Sequence, residues 1–165
     1  MIRPSPTIHM FCGKIASGKS TLADNLARGS GTVLIAKDKW LHALFADMLQ
    51  APSDYVEYAS RLRRVIAPHV IKLLGSGLSV VLDFPANTVA QRDWLRGILG
   101  QTDAAHQFHF IDVSDALCLT RLHARNHRGD HPFVVYETQF RQFTRHFVEP
   151  SLEEGVLLVK YSEGA

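Results

Sequence analysis

Two cysteines in 165 residues, Cys12 and Cys118, are too few to staple a small secreted fold, and a chain of this length builds a core without them. A reducing, cytoplasmic setting is therefore expected. No apolar run approaches the roughly 18 residues that span a bilayer, and the opening MIRPSPTIHMF lacks the apolar stretch and small-residue cleavage site of a secretory signal. A soluble protein without a membrane partner follows. Charge of one sign is also missing. Lys and Arg number 18 against 16 Asp and Glu, the net charge is +2, and the cations are scattered rather than gathered in a tail. Nucleic acid is thus not an expected partner. Repeats, low-complexity tracts and linkers are absent too, which leaves a single domain over residues 1–165.

What is present is an alternation of short β-branched or aromatic runs with amphipathic segments, the pattern of an α/β fold. Strands are expected at Thr7 to Cys12, Thr32 to Ala36, Ser79 to Asp83, Phe108 to Asp112 and Val156 to Tyr161. Helices are expected from Lys19 to near Gly29, from an Asp38 cap to Leu49, from an Asp54/Glu57 capping pair to Leu74 with a kink at Pro68, and from a Thr88/Gln91 capping box to Leu99. Two more should run from Ser114 to Arg125 and from Glu137 to Phe147. The resulting fold class is α/β, with a five-stranded, mostly parallel sheet carrying helices on both faces.

Between the first strand and first helix, Gly13 to Ser20 reads GKIASGKS, which satisfies G-x-x-x-x-G-K-[ST] in the context that motif requires. Backbone N–H groups of such a loop, together with the helix start behind it, form an anion-binding nest. Gly13, Lys14, Ala16, Ser17, Gly18, Lys19, Ser20 and Thr21 are the expected nucleotide contacts. Lys19 would bridge the β- and γ-phosphates, and the Ser20 hydroxyl would ligate Mg²⁺. The motif by itself does not separate a kinase from a GTPase or a motor ATPase.

Ligands of open α/β sheets gather at the carboxyl ends of strands, where Asp38 and Asp83 follow the second and third. Phosphoryl transfer to an alcohol needs a carboxylate to accept the hydroxyl proton and acidic help for the metal. Asp38 is assigned the first role and Asp83 the second, as a Walker B-like metal ligand; the converse assignment stays open. Asn87, just beyond, could orient substrate or the Asp83 carboxylate. Further along, RLHARNHRGDHP places Arg121 and Arg125 one helical turn apart, with Arg128 in the loop beyond. Such an arginine-rich lid would close over the phosphates or stack on adenine. His123, His127 and His131 are read as lid residues rather than a zinc site. Arg61, Arg63 and Arg64 make a small basic cluster, one member of which could reach an acceptor phosphate. Asp47, Asp54 and Glu57 would suit a cationic acceptor if they faced the pocket.

Taken in order, GKIASGKS, AKDKW, VVLDFPANT and LHARNHRG followed by ETQFRQF resemble the small P-loop kinase-like family of AAA-domain ATP-binding proteins that groups zeta toxins, chloramphenicol phosphotransferases and the kinase domain of phage polynucleotide kinase. The resemblance implies a P-loop NTPase fold, ATP and Mg²⁺ as cofactors, a base at Asp38, and lid arginines at Arg125, Arg121 and Arg128. Lys39 stands where polynucleotide kinases carry a second acidic residue. The expected activity is transfer of the γ-phosphoryl group to a hydroxyl of a small molecule, including an antibiotic such as an aminoglycoside or a chloramphenicol-like compound. The alternatives are a nucleoside or polynucleotide 5′-hydroxyl kinase, a toxin-like kinase of sugar nucleotides, and a non-catalytic ATP-binding switch.

Overall fold

The computed structural model describes residues 5–163. Its strands are β1 (Thr7–Cys12), β2 (Thr32–Ala36), β3 (Ser79–Pro85), β4 (Ala105–Asp112) and β5 (Leu158–Ser162). Between them lie the helices α1 (Lys19–Leu26), α2 (Lys37–Phe45), α3 (Pro52–Gly75), α4 (Val89–Leu99), α5 (Asp115–Arg128) and α6 (Glu137–Thr144). The sheet runs β2-β3-β1-β4-β5, and every pairing is parallel rather than most of them. A parallel sheet cannot use hairpins, so each connection must cross over, and here each crossover contains a helix.

Strand alternation divides the core in two. Ile8, Met10, Val80, Leu82, Phe108 and Phe110 point to the face covered by α3 and α4, where Leu62, Ile66, Val70, Leu95 and Ile98 meet them. Phe11 and Val81 point the other way, against Ala23 of α1, while Ile111 packs with Cys118 and Leu122 of α5 and Phe140 of α6. Helices therefore cover both faces. The two cysteines are buried and unpaired on separate sides of the sheet.

Local chemistry explains where the boundaries moved. Helix α2 begins at Lys37, with Asp38 inside its first turn rather than capping it, and it gives way to a short 3-10 turn over Ala46–Met48. Asp54 does not pair with Glu57 as a capping box; its carboxylate accepts from the N–H groups of Gln50 (3.1 Å) and Ala51 (2.8 Å) at the start of α3. Helix α3 continues through Pro68 to Gly75, because five buried side chains along one face hold it to the sheet. The Thr88/Gln91 box forms as expected: Thr88 Oγ1 accepts from Gln91 N–H (3.2 Å), and Gln91 Oε1 accepts from Thr88 N–H (3.2 Å) and Asn87 N–H (2.8 Å). Helix α5 extends to Arg128 and stops at Gly129, whose φ of 69° only glycine adopts cheaply.

A polar chain crosses the otherwise apolar sheet. His9 Nδ1 and His109 Nε2 lie 3.0 Å apart, and His109 Nδ1 lies 2.9 Å from the Tyr161 hydroxyl. His109 is 2% exposed and stacks on both His9 and Phe11. Burial lowers its pKa to about 4, with the neighbouring His9 adding to the effect. Below the ordinary value of 6.5 the unfolded chain takes up a proton that the folded one refuses, so stability is intact above pH 6.5 and drains as pH falls toward 4. Between pH 7.5 and 4.5 this residue is expected to cost about 3 kcal/mol. Urea unfolding at the two pH values should show the loss in the wild type, and His109→Gln should remove most of that difference.

Candidate active site

The loop leaving β1 opens at the middle of the sheet, and its geometry depends on small residues. A Cβ added to Gly13 would sit 2.6 Å from Ser17 Oγ and 3.0 Å from the Ile111 carbonyl. Gly18 has a φ of 109°, closed to other residues at ordinary cost, and Ala16 also lies in the left-handed region at 60°. Ser17 is buried, and its hydroxyl finds no partner among the described residues. At the start of α1 the first-turn N–H groups have no intrahelical acceptor, which leaves them for an anion.

Lys19 folds back over the loop and donates to the carbonyls of Gly13 (2.5 Å) and Lys14 (2.7 Å). Burial lowers its pKa to about 8, against the opposing pull of the Asp83 carboxylate. Ser20 Oγ donates to Asp83 Oδ2 at 2.8 Å. Burial raises the Asp83 pKa, and the Ser20 hydrogen bond and the Lys19 charge hold it back. This meeting follows from the strand order, since β3 lies directly beside β1. Thr21 is exposed in the first turn of α1, and Lys14 reaches away from the loop centre to Asp115 (2.5 Å).

Asp38 is one strand further out. Asp83 does not follow the third strand as expected but lies inside β3, two residues before its end at Pro85, in register with Ala36 of β2; Asp38 sits just past β2 in the first turn of α2, so the two aspartates are neighbours across the sheet with separate partners. The Tyr55 hydroxyl donates to Asp38 Oδ1 at 3.0 Å, Lys37 Nζ is 3.6 Å from the same oxygen, and His131 Nε2 is 3.8 Å from Oδ2. Lys37 is buried, bonds the Tyr55 hydroxyl, and lies 4.6 Å over its ring. Burial lowers the Lys37 pKa while Asp38 opposes the shift, and burial together with Asp38 raises that of Tyr55. The carboxylate is thus held by a tyrosine, a lysine and a lid histidine, yet remains 37% exposed.

The three lid arginines part ways. Arg121 Nη1 donates to the Ser17 carbonyl at 2.8 Å, beside the phosphate loop. Arg125 has Nε and Nη2 buried without a partner among the described residues; burial lowers its pKa, and Asp38 is the first charge to resist. Arg128 is exposed and pairs with Asp130 at 2.9 Å, outside this cluster. The lid itself is folded down: Phe133 meets His42 and Tyr55 edge to face, with centroids 5.9 and 5.8 Å apart.

Several of these roles escape sequence reading. Asn87 makes no hydrogen bond to Asp83 among the described residues; its Oδ1 accepts from Gly13 N–H at 2.9 Å and so holds the phosphate loop to the segment just past β3. Lys37, Tyr55 and His131 gather on Asp38 from α2, α3 and the lid, three segments whose convergence has no local signature. Among the described residues, no group of three His, Cys, Asp or Glu side chains could hold a metal ion, and no helix is long and apolar enough to cross a membrane.

No functionally curated protein matches the chain. Solved structures do. A Chloroflexus aurantiacus protein superposes with a TM-score of 0.73 at 17% identity, covering 96% of this chain and 85% of that one. A Mycobacterium tuberculosis APS kinase, solved with AMPPNP and APS, gives 0.64 at 20% identity over 98% and 91% of the two chains. For a Sinorhizobium meliloti 1021 gluconokinase the values are 0.57, 17%, 97% and 84%. At these identities the likeness is one of fold, the α/β P-loop NTPase fold. The family model described as an AAA domain, AAA_33, matches residues 8–150, from the first strand past the last helix, and the chain belongs to that family of small P-loop kinase-like ATPases.

Proposed function

We propose that the protein is an ATP-dependent phosphotransferase that moves the γ-phosphoryl group of ATP to a hydroxyl of a small molecule. The observation that carries this reading is the separation of the two aspartates. Asp83 is tied to Ser20 beside the P-loop lysine, whereas Asp38 is held on its own by Tyr55 and Lys37 under the lid. Transfer to an acceptor hydroxyl uses a second, independently positioned carboxylate to take its proton, which a nucleotide switch does not require. The kinase structures of like fold favour the same reading.

In the reaction, the acceptor oxygen attacks the γ-phosphorus while the bond to the bridging oxygen breaks, ADP departs with that oxygen, and the acceptor proton passes to an oxygen of Asp38. Lys19 and the loop N–H groups bind the phosphates, Arg121 flanks them, and the unpartnered Arg125 guanidinium faces charge developing between donor and acceptor. Ser20 and Asp83 form an oxygen donor pair that suits Mg²⁺, which when bound would neutralise phosphate charge. The lid, packed through Phe133 on His42 and Tyr55, would shield the transfer from water and so favour the acceptor over hydrolysis. An aminoglycoside acceptor loses its motive, because Asp54 holds the start of α3 and Glu57 pairs with Arg61 at 2.5 Å.

Mass spectrometry of an acceptor panel with ATP and Mg²⁺ tests the proposal. One phosphoryl gain matched by one ADP is expected on a single acceptor class, and none with Lys19→Ala. Confirmed ATP binding without transfer to any acceptor, or transfer that survives in Lys19→Ala, would overturn it.

A further inference from the structure

We propose that the acceptor carries an anionic group, a carboxylate, phosphate or sulfate, and that Arg63 binds it. The inference rests on the phosphotransfer reading for the word acceptor, but the unpaired charge of Arg63 stands without it. Positions 55, 59 and 63 are spaced four apart on α3, so Tyr55, Ala59 and Arg63 share one face of the helix. Tyr55 holds Asp38, Ala59 is buried, and Arg63 is half-buried at the next turn. Its two neighbours in the basic cluster do other work: Arg61 pairs with Glu57 and lies over the Tyr58 ring, and Arg64 is exposed.

The charges near Asp38 show what is left over. Lys37 balances Asp38 at 3.6 Å. Lys19 and Arg121 contact the phosphate loop, where a triphosphate would meet them, and the half-buried Arg125 feels the charge of Asp38. His131 has Asp38 at 3.8 Å. Arg63 is left over: no ion pair or hydrogen bond engages it among the described residues, and its charge reaches both Lys37 and Tyr55. The acids of the same segment cannot serve it: Asp54 and Glu57 are engaged elsewhere and Asp47 is exposed on the far 3-10 turn. A half-buried guanidinium left unpaired two turns after Tyr55 on α3 selects an anion of the substrate, because an arginine fork matches carboxylate, phosphate and sulfate oxygens alike.

Two measurements test this. First, sulfate is titrated at constant ionic strength into protein already saturated with the magnesium complex of AMPPNP, and the Arg63 Nε–Hε resonance, identified by its loss in Arg63→Gln, is followed. A saturable shift is expected. No shift overturns the inference even when the nucleotide binds, whereas failure of the nucleotide to bind counts against the phosphotransfer reading and leaves the Arg63 signal to decide this one. Second, D-gluconate, glucose 6-phosphate and glucose are compared as acceptors, which separates carboxylate from phosphate and both from a neutral polyol. An anionic acceptor is expected to be preferred, with Arg63→Gln raising its KM at least about tenfold and leaving kcat within about twofold. Preference for glucose, or a KM that Arg63→Gln does not change, would overturn the inference.

Discussion

Asp38→Asn is expected to lower kcat for phosphoryl transfer by about 10²- to 10⁴-fold, the usual contribution of a positioned general base. Affinity for ATP should stay within about threefold, because Asp38 touches none of the phosphate loop. The substitution is nearly isosteric: the amide oxygen still accepts from the Tyr55 hydroxyl, so the site keeps its shape while losing the charge beside Lys37 and the group that takes the acceptor's proton. Asp83→Asn provides the contrast. Its partners are Ser20 and Lys19, so its loss should appear first as weaker binding of the Mg²⁺–nucleotide complex. Steady-state rates combined with calorimetric nucleotide affinities separate the two. Undiminished kcat in Asp38→Asn would remove Asp38 from the proton transfer, and a rate loss confined to Asp83→Asn would exchange the two roles.

How legible the site is from sequence depends on how local its parts are. GKIASGKS is contiguous, so its strand, loop and helix can be read together, and β1 ends and α1 begins where the motif requires. Asp38 and Asp83 are legible because strand ends are, and the sheet order then brings them to the same edge. The partners of Asp38 are a different matter. Tyr55, like Trp40, Phe45 and Tyr58, reads from sequence as an aromatic residue that could line an acceptor pocket but on a helix more often means core, and only the packing of α2 against α3 turns its hydroxyl to a carboxylate 17 positions earlier. Arg128 misleads for the converse reason: proximity in sequence to Arg121 and Arg125 suggests a common target, but the turn at Gly129 puts Asp130 within its reach first. Helix α3 shows tertiary packing overriding a local rule, since burial of Ile66 and Val70 on either side of Pro68 outweighs the hydrogen bond that proline cannot donate.

Arg92 carries the largest expected effect on stability, and nothing around it in sequence announces that. It is 1% exposed in the middle of α4, where an amphipathic helix would ordinarily place an apolar side chain. Its guanidinium makes two bonds to Glu154, at 2.6 and 3.0 Å, and Nη1 donates to the carbonyls of Ala86 (3.0 Å) and Val148 (2.8 Å). One side chain thereby ties α4, the loop after β3 and the segment after α6 together. Arg92→Ala leaves the Ala86 and Val148 carbonyls without their donor and Glu154 with only the Ser151 N–H at 3.1 Å and Arg96 at 4.0 Å, and removal of one member of a buried pair costs about 3–5 kcal/mol. Against a total stability of about 5–15 kcal/mol that is a large fraction. The midpoint of urea unfolding should fall accordingly, and Arg92→Lys should recover little, because a single ammonium cannot reproduce the forked contacts. The loss should also reach the active site, since Ala86 precedes Asn87, whose side chain holds Gly13; ATP affinity in Arg92→Ala should drop under conditions where the variant is still folded. A midpoint within experimental error of the wild type would show that the segment after α6 contributes nothing to the fold, and that the phosphate loop is held by Asn87 without support from behind.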